Sequence, residues 1–377
     1  MRSVPEPAAP GAAWIASLEK FGIEPGLDRM RAMLAELGDP QRAFRAVHVV
    51  GTNGKSTTTR IAEAVLADAG LRVGAYLSPH IRSFAERIRV GGAEADFEAA
   101  VAAIRPAAEA LGATQFEALT AAALVAFAEA EVDVAVVEAG LGGRHDATNV
   151  LRTSVVVLTN VALDHMDVLG DTREAIAAEK LAVVQEGCAV VLAEPEWREL
   201  ALANGAGYVV LTSPANLALG VAAAEAFLGR TVDPNAAESV ALPGRLERRS
   251  REPLELWDGA HNLAGVAWLL PRLPERAPGQ GYVLVCSILR DKRPELMLEA
   301  LSVLGETFVA TESTNARCVP AAELAELARK RFARVEAVAD PQAARARGLE
   351  LAGPGGALLV TGSLYLLAEL SGANGDS

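Results

Sequence analysis

Short continuous apolar runs alternate with longer amphipathic stretches along most of the chain. The runs "FRAVHVV", "RVGAYL", "DVAVVEAG", "SVVVLTNV", "CAVVLAE" and "GYVVLT" are nearly unbroken rather than alternating. That pattern predicts parallel strands covered on both faces. Helices are predicted between and after them at 56–69, 94–111, 115–130, 172–184 and 215–228, the first closed by Gly70. Strand–helix alternation of this kind predicts a doubly wound, mostly parallel α/β sheet. Over 231–253 the pattern dissolves into "TVDPNAAESVALPGRLERRSREP", a polar stretch with Pro and Gly that predicts a domain boundary. A second, smaller α/β unit starts at "LELWD", with "YVLVCSIL", "TFVAT" and "GALLVTGS" as strands. The expected organisation is a first domain over 1–242, a linker over 243–253 and a second domain over 254–377.

Composition narrows the class. A chain of 377 residues suggests about two domains, and 51% hydrophobic with 22% charged residues suits a packed core rather than disorder. The net charge of -13 argues against indiscriminate binding to nucleic acid, which needs a basic face. A nucleotide needs only a few local donors and stays open. Cys188, Cys286 and Cys318 show neither metal spacing nor a disulfide framework, which suits a reducing cytoplasm. The start "MRSVPEPAAPGAAW" lacks the apolar run of a signal peptide, so none is expected. No stretch approaches the ~20 apolar residues of a membrane span. Only five lysines occur, at 20, 55, 180, 292 and 330, so each stands out in an arginine-rich chain.

The candidate chemistry begins at "VHVVGTNGKSTTTR". Gly51, Gly54, Lys55 and Ser56 lie between a predicted strand and a predicted helix. Backbone N–H groups and a helix N-terminus there cradle phosphates, and a lysine reaches the outer ones. Val49 stands where the usual spacing has its first glycine, so this is a variant P-loop. An ordinary capped turn would leave the lysine unexplained. Further strand ends carry more candidates, because ligands of open α/β sheets sit at the carboxyl ends of strands. Ser78, in "YLSPHIRSFAERIRV", lies near the phosphates if its strand neighbours the P-loop strand; otherwise it belongs to a plain turn. Glu138 ends a buried strand before a loop with glycines at 140, 142 and 143, and is a hard oxygen ligand suited to Mg²⁺. After the next strand come Asp164, His165 and Asp167, and His165 is open between metal ligand, base and loop residue. Lys180 lies within a helix amid apolar residues, either snorkelling or held with a lowered pKa and reactive.

Together and in this order, these pieces resemble one family. The stretches "GTNGKSTTT", "SPHIRSFAERIRV", "TQFEALT", "VVEAGLGGRHDATN", "LDHMDVLGDTREAIAAEK", "LPGR", "WDGAHN", "LRDK" and "LVTGSLYL" are similar to those of the dihydrofolate synthase/folylpolyglutamate synthases of the Mur ligase superfamily. The resemblance spans about 23–368. It implies a P-loop first domain and a Rossmann-like second domain, and an ATP-dependent amide ligase adding L-glutamate to dihydropteroate, to reduced folate (poly)glutamates, or to both. It places ATP on Gly51, Thr52, Asn53, Gly54, Lys55, Ser56 and Thr57, with Asn216, Arg245 and Asp258 as further nucleotide contacts and His261 near the terminal phosphate. It assigns magnesium, in two sites, to Ser78, Glu138, His165 and a carbamylated Lys180. It sets the pterin-bearing substrate against Pro79, His80, Arg82, Phe116, Glu117, His145, Asp146 and Ala147.

A plain ammonium at Lys180 would repel the metal; at an effective dielectric near 20, unit charges ~4 Å apart interact by about 4 kcal/mol. Carbamylation by CO₂ reverses that sign. Leu181 to Val183 after Lys180, and Leu263 after Asn262, depart from the family's usual residues and leave the preferred glutamate addition open. Two other classes remain. One is a peptidoglycan- or cyanophycin-type Mur ligase, which is expected to carry a longer segment before the P-loop. The other is a kinase or nucleotide sensor, which has no use for "GLGGRHDATN" or "WDGAHN". A monomer is expected.

Overall fold

The computed structural model describes residues 10–18, 26–238, 240–275 and 280–372. The chain divides into two compact units, Met1–Val240 and Ala241–Ser377. In the first, the strands are β1 (Arg45–Val50), β2 (Val73–Tyr76), β3 (Ile88–Val90), β4 (Ala93–Glu94), β5 (Val134–Glu138), β6 (Thr153–Leu158), β7 (Ala189–Leu192) and β8 (Tyr208–Leu211). They form one sheet in the order β4-β3-β2-β5-β1-β6-β7-β8. From β2 through β8 every pairing is parallel, whereas β2–β3 and β3–β4 are antiparallel.

Both faces of this sheet are covered, which is why its strands read as unbroken valine-rich runs. Val47 and Val49 face a cluster with Ile61, Val65 and Leu66 of the helix Lys55–Asp68 and Leu219 and Ala223 of the helix Asn216–Leu228. On the other face, Ala46, Tyr76 and Val137 pack with the helices Phe97–Leu111 and Gln115–Glu129. Val50, Val156 and Leu158 on that face pack with Ile176, Ala177 and Leu181 of the helix Arg173–Leu181. The helix predicted from 94 starts at Phe97, because Asp96 caps it by accepting from the Ala99 N–H and residues 93–94 pair as β4.

The second unit contains β9 (Glu247–Arg251), β10 (Leu254–Trp257), β11 (Val283–Cys286), β12 (Thr307–Ala310), β13 (Arg334–Ala337) and β14 (Ala357–Thr361), in the order β13-β12-β11-β14-β10-β9. Only β9 runs antiparallel. The expected linker over 243–253 is therefore corrected: 247–251 hydrogen-bonds to β10 as an edge strand of the second sheet. One face holds Leu256, Leu284, Phe308 and Leu359 against the helices Leu263–Leu269, Pro294–Leu301 and Ala321–Ala328. On the other, a Cβ at Gly348 would come within 2.7 Å of Val285, so the helix Pro341–Ala352 lies close on the sheet.

Candidate active site

The strand order sets the site. β1 lies between β5 and β6, so the loop 51–54 emerges where the chain's crossovers diverge to opposite sides of the sheet. The strand beside β1 on one side is β5 rather than β2, and the strands ending at Glu138 and next to Thr159 flank β1.

The loop itself is tightly held. Gly51 has φ 147° and Gly54 φ 82°, both in the region that favours glycine. A Cβ on Gly51 would lie 1.8 Å from Thr159 Oγ1, and one on Gly54 2.4 Å from Asn216 Oδ1. Neighbouring residues anchor the loop. The Thr52 N–H donates to the Asn160 carbonyl (3.1 Å), the Asn53 N–H to Asn160 Oδ1 (3.0 Å), and Thr159 Oγ1 to the Asn53 carbonyl (2.7 Å). Thr159 and Asn160 thus support the loop, a role their position at a predicted strand end did not reveal. Lys55 and Thr57 open the following helix, half-buried, and Lys55 Nζ donates to the Thr52 carbonyl (3.3 Å).

Glu138 reaches the same place from β5 and is buried. Ser56 Oγ donates to its Oε1 (3.1 Å) and the Ser78 N–H to its Oε2 (3.0 Å), while the Ser78 carbonyl is 3.4 Å from Ser56 Oγ. Ser78 therefore joins the phosphate loop through Glu138, despite the intervening strand. Lys180 is only 4% exposed and its Nζ donates to the Gly51 carbonyl at 2.9 Å. Burial, then the Lys55 ammonium, lowers its pKa to about 7 against the opposing pull of Asp164, Asp146 and Glu179. His165 lies before the short helix Met166–Leu169 in a left-handed conformation (φ 49°), partly exposed, with Nε2 4.0 Å from Asp164 Oδ1.

The loop after β5 closes on itself. The Asp146 carboxylate accepts from the Leu141 N–H (2.8 Å), the Thr148 N–H (3.0 Å) and the Thr148 hydroxyl. Burial raises its pKa, and these hydrogen bonds oppose that rise. Ala147 is buried beside it and His145 is exposed. Phe116 is half-buried, 6.1 Å between ring centroids from Tyr76, and closes on Gly140, where a Cβ would meet its ring at 2.6 Å. Glu117 is engaged structurally. It forms the capping box of its helix with Thr114 and pairs with Arg29 at 2.8 Å, a partner no motif announced. In the loop after β2, Pro79 and Arg82 are exposed, and buried His80 accepts through Nδ1 from Arg87 Nε (2.9 Å).

In the second unit, Asp258 at the end of β10 accepts from the Leu246 N–H (2.8 Å) and the Ala260 N–H (2.9 Å). Burial raises its pKa, and Arg245 opposes that. His261 Nδ1–H donates to the Gly259 carbonyl (2.9 Å).

The residues fit a magnesium–nucleotide rather than a metal caged by protein alone. Among the described residues no group of three or more His, Cys, Asp or Glu side chains could hold a metal ion. One buried carboxylate and a serine hydroxyl at a phosphate loop is the donor set that Mg²⁺ takes when phosphates and waters complete its shell.

A P-loop at the central strand of a doubly wound sheet, an acidic residue on the neighbouring strand end, and a second α/β unit define a Mur-type ligase. Family models match accordingly: Mur ligase middle domain over 49–227, and Mur ligase, glutamate ligase domain, over 244–364. The Bacillus subtilis dihydrofolate synthase/folylpolyglutamate synthase is 32% identical over 95% of this chain and 97% of its own. The Yersinia pestis bifunctional folylpolyglutamate synthase/dihydrofolate synthase complexed with AMPPNP and Mn superposes with a TM-score of 0.85 at 30% identity, over 98% of this chain and 99% of its own. Escherichia coli FolC in complex with DHPP and ADP gives 0.85 at 29%, over 97% and 98%. The chain belongs to the dihydrofolate synthase/folylpolyglutamate synthase family and is an ATP-dependent ligase.

Proposed function

We propose that the chain joins L-glutamate to dihydropteroate, to reduced folate (poly)glutamates, or to both, through an acyl phosphate. The substrate carboxylate attacks the γ-phosphorus of ATP and ADP leaves. The glutamate amine then attacks the acyl carbon, the amide forms, a proton is lost and phosphate departs. This division of labour needs positioning and charge neutralisation more than covalent participation by the protein. The observation that carries the proposal is the convergence of Lys55, Ser56, Glu138 and buried Lys180 on one short loop.

Gly51 to Thr57 would receive the phosphates, with Asn216 beside Gly54. Arg245, Asp258 and His261 are assigned to the nucleotide by family resemblance. Glu138, Ser78, His165 and Lys180 would hold magnesium, in two sites; when bound, it neutralises charge on the transferring phosphoryl group. The lowered pKa of Lys180 supports carbamylation, since only the neutral amine attacks CO₂. Pro79, His80, Arg82, Phe116 and His145 to Ala147 remain the proposed folate surface; Glu117 contributes by fixing the helix that carries Phe116.

The chain is proposed to act as a cytoplasmic monomer on small molecules, without nucleic acid or membrane. No helix among the described residues is long and apolar enough to cross a membrane. The test is product mass from ATP, glutamate and a panel of dihydropteroate, tetrahydrofolate and methylenetetrahydrofolate. The expected products are a species one glutamyl unit heavier, ADP and phosphate, with a pteroyl hydroxamate when hydroxylamine replaces glutamate. AMP and pyrophosphate in their place would sink the mechanism.

A further inference from the structure

A buried donor chain leaves the middle of the P-loop strand. His48 lies three residues before Gly51 in β1 and is fully buried. Strand alternation sets it on the face of Ala46 and Val50, amid apolar packing. An imidazole there is costly unless hydrogen-bonded. Its Nε2 is 2.8 Å from Thr148 Oγ1, and that hydroxyl in turn contacts Asp146 Oδ1 at short range.

The direction of the chain follows from counting protons. Both Asp146 oxygens already accept backbone N–H groups, Oδ1 from Thr148 and Oδ2 from Leu141. The carboxylate is therefore the terminal acceptor, and the single Thr148 hydroxyl proton points to it. Thr148 then has only lone pairs to offer His48, so His48 must donate through Nε2–H. The opposite tautomer would bury an Nδ1–H that has no hydrogen-bond partner among the described residues.

We propose that His48 is a positioning residue which, as its Nε2–H tautomer, acts through Thr148 on Asp146 and so references the 140–149 loop to the P-loop strand. This rests on the proposal that 145–147 face the pterin-bearing substrate. β1 then sets two things at once: its carboxyl end fixes the nucleotide loop, and its middle fixes the loop that meets the acceptor. A one-residue slip of either loop against the other would misplace the carboxylate relative to the γ-phosphate.

The test has two arms. In the first, long-range ¹H–¹⁵N correlation of ¹⁵N-histidine-labelled full-length protein, with His48 assigned through His48→Gln, should show the Nε2–H pattern unchanged from pH 8 to 5.5. An Nδ1–H pattern, or an imidazolium within that range, overturns the proposal. In the second, His48→Leu and Thr148→Val should each raise KM for dihydropteroate about tenfold, with KM for ATP within about twofold of wild type. His48→Gln places an amide N–H where Nε2 stood, and Thr148→Ser keeps the hydroxyl; both should recover to within about threefold. Failure of these two conservative variants to recover, or KM for ATP rising in step, overturns it as well. If the wild type ligates no pterin substrate, the proposed function fails, whereas the tautomer measurement still decides the relay.

Discussion

Two glycine-rich loops leave neighbouring strands of the first sheet and are held by different partners. The loop 51–54 after β1 has its positive-φ residues at both ends and is braced from outside by Thr159 and Asn160. The loop 139–149 after β5 turns its backbone donors inward onto Asp146. Its glycines approach other elements as closely as Gly51 and Gly54 do: a Cβ on Gly143 would meet the Lys180 carbonyl at 2.6 Å, and one on Gly140 the Phe116 ring. The first loop is the proposed phosphate receptor. The second is a wedge that fits the helix Arg173–Leu181, with its Lys180, against the sheet. Glycine content alone therefore does not mark a phosphate site; a helix that opens with a lysine directly after the loop does, and it follows 51–54 but not 139–149.

The sharpest way to break this contrast is to disable the receptor. Lys55→Ala should lower kcat/KM by about 10³-fold or more, because the proposed mechanism gives its ammonium the charge of the phosphates to neutralise. Steady-state kinetics at saturating Mg²⁺ check this. A variant within about tenfold of wild type would remove Lys55 from the chemistry.

Lys180 joins the two loops, since the wedge holds its helix and its Nζ bonds the receptor. Lys180→Ala should be inactive and partly rescued by acetate or formate, which refill a carboxylate position. Lys180→Arg should be inactive without rescue, because guanidinium keeps its positive charge. In the wild type, activity lost on CO₂ depletion should return faster as pH rises through about 7, where the amine becomes neutral. Full activity of Lys180→Arg in CO₂-depleted buffer would refute the carbamate.

Much of this was legible in the sequence, for physical reasons. Strands buried on both faces must be apolar throughout, so β1, β5, β6 and β7 announce themselves. β9, "ERRSR", lies at a sheet edge with one neighbour and three exposed arginines, so it reads as a polar linker. β13, "RVEA", escapes for the same reason at the opposite edge. Order within the sheet has no local signal, so nothing in the chain announces β5 between β1 and β2. In the site, Glu138 and Lys180 stand out because a charge among apolar residues is unusual. His48 gives the same signal within "AVHVV", overshadowed by the phosphate-loop motif three residues later.

A smaller effect separates packing from binding. Gly143→Ala should destabilise the fold by about 1–3 kcal/mol through overpacking, since backbone carbonyls rather than flexible tips meet the new methyl. Denaturant unfolding should show it, with KM for ATP little changed. Gly51→Ala, with a methyl 1.8 Å from Thr159 Oγ1 on a backbone at φ 147°, should destabilise the fold at least as much and also raise KM for ATP several-fold. A raised KM for ATP in Gly143→Ala with an unchanged one in Gly51→Ala would mean the loops had been assigned the wrong way round.

The smallest expected effect is on acid stability, and it comes from His48. Burial lowers its pKa to about 3 in the folded protein, from an ordinary value of 6.5. Between those values the unfolded chain holds a proton that the folded one lacks, so stability rises with pH. The contribution is level above about 6.5 and is lost progressively as pH falls towards 3. At pH 5.5, one unit below the ordinary value, the loss amounts to about 1.4 kcal/mol. His48→Gln has no titrating group and should lack this part of the acid limb while keeping the donor to Thr148. Urea unfolding of both proteins at pH 7.5 and 5.5 measures it. Their stability difference should shift by about that amount in favour of His48→Gln at the lower pH. An unchanged difference would mean that His48 keeps its ordinary pKa in the folded protein, which a neutral imidazole donating from the centre of an apolar sheet face cannot do.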